Sequence, residues 1–356
     1  KPAEKIMLIT DDNVYRLHSK AIEDMLSNTN KQSKTVIIEQ GETSKNLENT
    51  KKIYDNMLDF NMHRNDLVIA FGGGVIGDLA GFAASTFHRG VSLLQFPTTI
   101  VAQVDSSIGG KVVVNYKGVK NVIGSFYQPH AIITDYGLLL TLKENDIRNG
   151  LSEIIKYGVV FDKKILSALD FSTIHNGGNT CLQDIIKKQI FQNIIGKCIN
   201  IKLAVVGKDE MDTGYRNLLN FGHTAGHALE KLSMFSEISH GIAVAWGMLV
   251  AIDISIELGF TNNRLKDFLI SLYKKFDIPV TLKIKNISGT CTAVQTANEI
   301  INAMKFDKKF TSEKNKFILL KGLNRPVVKT GIDEKIIAAA ISKNMSGEKN
   351  EKGTID

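Results

Sequence analysis

The chain has 356 residues, 43% hydrophobic and 23% charged, with a formal net charge of +7; that is ordinary for a soluble globular protein and long enough for two domains. Three cysteines, Cys181, Cys198 and Cys291, match no metal or redox spacing and read as reduced thiols of a cytoplasmic protein. No apolar run is expected to span a membrane, Lys1-Pro-Ala-Glu-Lys5 resembles no signal peptide, and the positive charge lacks the aromatic platform or module that nucleic acid would need. Small anions account for it as well as a solvated surface does.

In chain order, residues 6–10 form an apolar run that reads as a buried strand, ending in the polar turn Asp11-Asp12-Asn13. Residues 18–26 have a helical pattern, 35–39 read as a second strand, 51–60 as an amphipathic helix and 66–71 as a third strand. Strands alternating with helices argue for a parallel sheet covered on both faces. The third strand runs into GGGVIGD and then a small-residue helix over 79–85. Gly72, Gly74 and Gly77 satisfy G-x-G-x-x-G between a strand and a helix, where glycine lets a backbone approach a pyrophosphate. A tight strand-to-helix turn requires glycine in any case, so the motif alone leaves both readings open.

Residues 91–96 and Pro97-Thr98-Thr99 follow, then DSSIGGK at 105–111 and Lys120-Asn121 in a polar, glycine-rich stretch that reads as a functional loop rather than a plain surface hairpin. Its lysines suit a phosphate or a carboxylate. Residues 131–135 read as a further strand. Beyond residue 145 the pattern changes to long amphipathic helices, so the expected domains are 1–143 and 144–356. Glu153 and Lys156 are three apart on one helical face among apolar neighbours, and a buried carboxylate there wants a cation or a metal. A long helix over 185–206 carries Lys202, and a polar loop fills 207–214. RNLLNFGHTAGH at 216–227 and Ser239-His240-Gly241 hold three of the eight histidines. Any one of them could be a satisfied core histidine. Together they suggest a metal centre: His223 and His227 have the i,i+4 spacing of a metal pair, and Glu153 is the candidate third ligand. A helix over 241–258, a polar surface helix with Arg264, a basic turn near Lys308–Lys309 and a strand over 317–320 complete the chain, and residues after 341 read as frayed.

The ordered set GGGVIGDLAGF, PTT, DSSIGGK, KN, SEIIKYG, RNLLNFGHTAGH and HG resembles the 3-dehydroquinate synthase family of sugar-phosphate cyclases, from Asp11 to about Leu320. The resemblance implies an α/β plus α fold: a Rossmann-like N-terminal domain, an α-helical C-terminal domain, and an active site in the cleft between. It also implies NAD and zinc, with cobalt as a possible substitute, a small sugar-phosphate substrate, and a homodimer with no nucleic-acid or membrane partner. By resemblance Glu42, Lys45, Gly74, Val75, Ile76, Gly77 and Asp78 hold NAD, with Thr98, Thr99, Lys111, Lys120, Leu138 and Thr141. Asp11 and Asn13 match its adenosine end. Glu153, His223 and His240 match the zinc ligands, which reassigns His227 to the substrate. Asp105, Lys111, Asn121, Lys156 and Lys202 match further substrate contacts, as do Arg216, Asn220 and Lys308. Arg89 matches an arginine that reaches the neighbouring subunit's site. The implied reaction is transient oxidation by NAD, β-elimination of phosphate, reduction, and an intramolecular aldol closure. Some positions depart from the family pattern. Val112-Val113 replaces Thr-Gly, Tyr116 stands where His is common, Asp209-Glu210-Met211-Asp212 replaces Asp-Glu-Arg-Glu, and Ile242 replaces a Glu beside His240. The last is expected to weaken the support of that ligand.

Overall fold

Apolar residues occupy consecutive positions in the first strand, as in strands buried on both faces. In the computed structural model, which describes residues 3–174, 181–233, 238–282, 293–305 and 315–345, Ile6 and Leu8 join one core cluster while Met7 and Ile9 join another. The strand is β1 (Lys5–Asp11), followed by α1 (Asp12–Ser27), β2 (Gln32–Ile38), α2 (Leu47–Asp59), β3 (Leu67–Gly72), α3 (Gly74–Thr86) and β4 (Ser92–Pro97). With β5 (Lys111–Tyr116), β6 (Val119–Phe126) and β7 (Ala131–Ile132) these give a five-stranded parallel sheet in the order β2-β1-β3-β4-β7 and a separate β5-β6 hairpin. The turn after β1 is itself the start of α1, because the Asp11 carboxylate accepts from Val14 N at 2.8 Å and caps the helix.

The helices continue as α4 (Glu144–Val160), α5 (Lys163–Ile174), α6 (Leu182–Ile186), α7 (Gln189–Lys208), α8 (His223–Leu232), α9 (His240–Glu257), α10 (Asn263–Lys275) and α11 (Ala293–Lys305), then β8 (Lys316–Leu320), β9 (Pro326–Thr330) and α12 (Glu334–Lys343). The chain forms two compact units, Lys1–Ile147 with Ile186–Asp212, and Arg148–Ile185 with Thr213–Asp356. The domains expected from sequence are contiguous, 1–143 and 144–356, whereas these units interleave. The physical reason is α7, whose buried Lys202 pairs with Asp105 on the π-helical turn Ala102–Ser106 of the first unit. The single helix expected over 185–206 is divided between α6 and α7. Of the stretch read as a loop, DSSIGGK is turn up to Lys111, which opens β5, and Lys120-Asn121 lies on β6, so its second part is a hairpin.

α7 and α9 are long and apolar enough to cross a membrane, contrary to the sequence expectation. For α9 the explanation is burial: 78% of the apolar window lies inside the fold, as for a helix hydrophobic all round that forms a core. It packs so closely on α8 that a Cβ at Gly247 would come 2.0 Å from the Gly222 carbonyl oxygen, and one at Gly226 would come 2.9 Å from the Ala243 oxygen. Both obstructions are backbone and cannot rotate away. Gly247→Ala is therefore expected to destabilise the second unit by about 2 kcal/mol or more through overpacking, despite the roughly 1 kcal/mol helix-propensity advantage of alanine. A lowered urea midpoint would show it, and an unchanged midpoint would refute the close approach.

Candidate active site

In the first unit, the glycine motif lies where β3 ends and α3 begins, at the carboxyl end of a parallel strand. Gly73 is the N-cap of α3 and no side chain caps it, which leaves the first backbone N–H groups available to an anion. Space there is tight: a Cβ at Gly74 would come 3.0 Å from Ser106 Oγ, and one at Gly77 would come 2.9 Å from Gln95 Oε1. Val75 is half-buried, whereas Ile76 belongs to the core, so Ile76 can offer a ligand only its backbone. Thr98 N donates to Gly72 O at 3.0 Å, and Thr99 Oγ1 accepts from Ala102 N at 3.1 Å.

Four of the sequence-selected residues meet beside that helix. Lys45 Nζ lies 3.0 Å from Asp78 Oδ2, 2.6 Å from Asn121 Oδ1 and 3.6 Å from Glu42 Oε1. Asn115, which sequence reasoning did not select, ties the group together: its Nδ2 donates to Glu42 Oε1 at 2.8 Å and its Oδ1 accepts from Asn121 N at 2.9 Å. Burial pushes Asp78 up to about 6, outweighing the attraction of Lys45. Burial alone would lower Lys45, but Asp78 and Glu42 outweigh it and hold the ammonium above its ordinary value.

A carboxyl whose folded value is raised binds its proton more tightly in the folded state. It therefore stabilises the fold at low pH, and that stability is lost as pH rises through the folded value. For Asp78 the window runs from about pH 4 to about 6. Asp78→Asn is expected to flatten the fall in stability across that window. Urea midpoints at its two ends would measure it, and an undiminished slope would show that another group is responsible.

The remaining residues of this unit are more dispersed. Asn13 Oδ1 accepts from Arg16 Nη2 at 2.8 Å, Thr141 Oγ1 meets His18 Nε2 at 3.0 Å, and Leu138 packs into the core beneath the sheet. Lys120 is half-buried on β6. Lys111 pairs with Asp212 and Lys202 with Asp105, so two sequence-selected lysines already meet carboxylates. Arg89 is exposed, and it and His88 both take positive φ, 63° and 48°, just before Gly90. Lys308 lies outside the described residues.

In the second unit, Glu153 on α4 is fully buried and pairs with buried Lys156. Gly222, at φ 82°, lets the chain enter α8 directly at His223, and α9 begins at His240. His240 Nε2 lies 3.3 Å from Glu153 Oε1, and His223 Nε2 lies 3.6 Å from the same oxygen. The three residues offer donor atoms all within 4.8 Å of one another. His223 Nδ1 meets the Phe221 carbonyl at 3.2 Å, and His240 Nδ1 meets Glu230 Oε2 at 3.1 Å. A proton on each Nδ1 satisfies these contacts and leaves both Nε2 lone pairs toward Glu153. Burial would lower the His240 imidazole, but hydrogen bonds to Glu153 and Glu230 outweigh it and push the ring up to about 10, so a metal binding at Nε2 displaces the proton held there while Nδ1 keeps its own. His227 is half-buried, its ring centroid 5.2 Å from that of His223 and 5.9 Å from that of His240. Arg216 is buried and Asn220 half-buried on the turn Tyr215–Asn220 that leads into α8. Two imidazoles and one carboxylate are a donor set of catalytic zinc sites, which keep a position open for an oxygen ligand. Glu230 and Asp212 were not selected from sequence. Glu230 had a readable signal, since it follows His223 by seven residues and His227 by three, on one helical face.

The interleaved parallel-sheet and helical units have the dehydroquinate synthase-like fold. They resemble the solved 2-epi-5-epi-valiolone synthase of Streptomyces hygroscopicus subsp. jinggangensis 5008, described with NAD+ and Zn2+ bound, with a TM-score of 0.84 and 23% identity over 96% of this chain and 91% of that one. Residues 35–149 match the family model for the 3-dehydroquinate synthase N-terminal region, and residues 150–310 match the model for the C-terminal region. The 3-dehydroquinate synthase of Clostridium botulinum (strain Alaska E43 / Type E3) is 39% identical over 92% of this chain and 88% of its own length. That of Endomicrobium trichonymphae is 40% identical over 96% and 89%. The chain belongs to the 3-dehydroquinate synthase family.

Proposed function

We propose that this protein converts 3-deoxy-D-arabino-heptulosonate 7-phosphate into 3-dehydroquinate and phosphate, a lyase reaction of aromatic amino-acid biosynthesis through the shikimate pathway. The observation that carries it is the convergence of His223, His240 and buried Glu153 in a chain about 40% identical to synthases across nearly its whole length. NAD and zinc, or cobalt in its place, are the cofactors we assign. Glu153, His223 and His240 would hold the metal. The N-terminal turn of α3, with Gly74, Val75, Ile76, Gly77 and Asp78, would hold the dinucleotide together with Glu42, Lys45, Thr98, Thr99, Lys120, Leu138 and Thr141, and Asp11 and Asn13 would serve its adenosine end. When bound, NAD takes up and returns a hydride and the metal polarises the oxygen at the carbon being oxidised.

The chain's own groups do the rest. The substrate carries a carboxylate and a phosphate, which Lys111, Lys156, Lys202 and Arg216 are suited to bind with charge-assisted hydrogen bonds, Lys308 adding a further cation. Lys111 and Lys202 are paired with Asp212 and Asp105, so each ammonium is held in place before an anion reaches it. Asn121 and Asn220 offer amides to ring hydroxyls. His227, beside the metal-binding pair but outside it, is placed to hold or move a proton at the substrate. Arg89 is assigned to a neighbouring subunit's site in a homodimer, and we place the protein in the cytoplasm without nucleic-acid or membrane partners.

A second reading, a cyclase acting on another sugar phosphate, is favoured only by the fold, where identity to the valiolone synthase is 23%. The test is phosphate release from 3-deoxy-D-arabino-heptulosonate 7-phosphate with zinc and a catalytic amount of NAD, following NADH absorbance alongside. Phosphate release with dehydroquinate as product and no NADH build-up is expected. Steady NADH accumulation on a polyol would mark a dehydrogenase instead, and no turnover on this substrate would move the reading to another cyclase.

A further inference from the structure

Glu230 is an acid that the proposed chemistry leaves without a task. It is 5% exposed, on α8, and its Oε2 lies 3.1 Å from His240 Nδ1. The same imidazole reaches Glu153 Oε1 with its other nitrogen at 3.3 Å, so His240 lies between two carboxylates. A neutral imidazole has one N–H and one lone pair, so the carboxylate that takes the N–H decides which nitrogen can bind a metal.

Two donor sets compete for that lone pair. Glu153, His223 and His240 form one, and His227, Glu230 and His240 form the other, each with donor atoms within 4.8 Å. His240 can serve the first only through Nε2, which faces Glu153, and the second only through Nδ1, which faces Glu230. His223 settles the competition. Its Nδ1 is turned to the Phe221 carbonyl, so with the proton there its lone pair is on Nε2, 3.6 Å from Glu153. With the lone pair of His223 and the carboxylate of Glu153 already on one side, His240 completes that set when Glu230 takes the Nδ1 proton.

We propose that Glu230 is the positioning residue of the metal centre, accepting the Nδ1 proton of His240 and so fixing the tautomer and aim that bring Nε2 to the metal. This rests on the metal reading given above.

The test measures zinc affinity by competition with a chromogenic chelator, metal stoichiometry, and the visible absorption of the cobalt-loaded protein, which reports ligand geometry. Glu230→Gln keeps the shape and removes the charge. It is expected to weaken zinc about 10-fold, and Glu230→Ala up to about 100-fold, with one metal per chain throughout. The cobalt spectrum of both variants should shift, and Glu230→Asp should restore part of the affinity. Should Glu230→Ala fail to fold, Glu230→Gln alone decides. Unchanged affinity and spectrum in Glu230→Gln would overturn the proposal while His223→Ala still loses metal. Retention of full affinity by His223→Ala would overturn the metal reading itself. Two metals in the native protein, falling to one in Glu230→Gln, would make Glu230 a ligand and also overturn the proposal.

Discussion

Glu153→Gln is expected to lose zinc on dialysis that leaves the native protein loaded, and to lower turnover about 1000-fold. Glu153 is the one anionic donor of its set, since His223 and His240 coordinate as neutral rings. A divalent cation held in a buried place needs that charge, and an amide oxygen does not supply it. The loss of a metal that stabilises developing charge on oxygen corresponds to about 4 kcal/mol in the barrier, or about 1000-fold in rate. The substitution also leaves Lys156 without its buried carboxylate partner. Some destabilisation is therefore expected, and metal content has to be compared on folded protein. His227→Asn is the companion variant. It should keep its zinc and lose turnover, because the His227 ring neighbours the set without belonging to it. Zinc loss in His227→Asn together with retention in Glu153→Gln would reverse the ligand assignment.

How much of this was legible in the chain differs from one feature to the next. The strands β1 and β3 could be read because each is a run of apolar residues buried on both faces, bounded by polar or glycine-rich turns. The β5–β6 hairpin could not. Most of β6 is exposed, so its residues alternate too weakly to declare a strand, and glycine and lysine gave it the look of a loop. At the metal centre, sequence spacing pointed the wrong way. His223 and His227 have the i,i+4 separation of a metal pair, and only the family resemblance selected His240 in place of His227. In the structure, the two Nε2 atoms that converge on Glu153 come from different helices, α8 and α9, brought together because glycines let the backbones touch. Contacts of that kind have no period. The same holds for Asn115 and Asp212, which act through partners far away in the chain.

The pair Lys202–Asp105 separates what holds the first unit together from what would turn substrate over. Lys202 is buried in the C-terminal half of α7, and Asp105 is on the π-helical turn after β4. Lys202→Met leaves the carboxylate without its cation, in a place where 20% of the Asp105 side chain is exposed. Breaking a fully buried pair costs about 3–5 kcal/mol, and partial exposure of Asp105 places this one near the lower bound, about 3 kcal/mol. The double variant Lys202→Met with Asp105→Leu removes both charges, and a pair replaced by apolar groups is often neutral or better. Stability should therefore return in the double variant, read as recovery of the urea midpoint, while phosphate release stays at the level of the single variant. That combination would mean the ammonium is retained for the substrate and Asp105 holds it until the anion arrives. If turnover recovered along with stability, Lys202 would be a structural residue of the first unit. The substrate's charges would then have to be met by Lys111, Lys156 and Arg216, without the helix that returns to complete that unit.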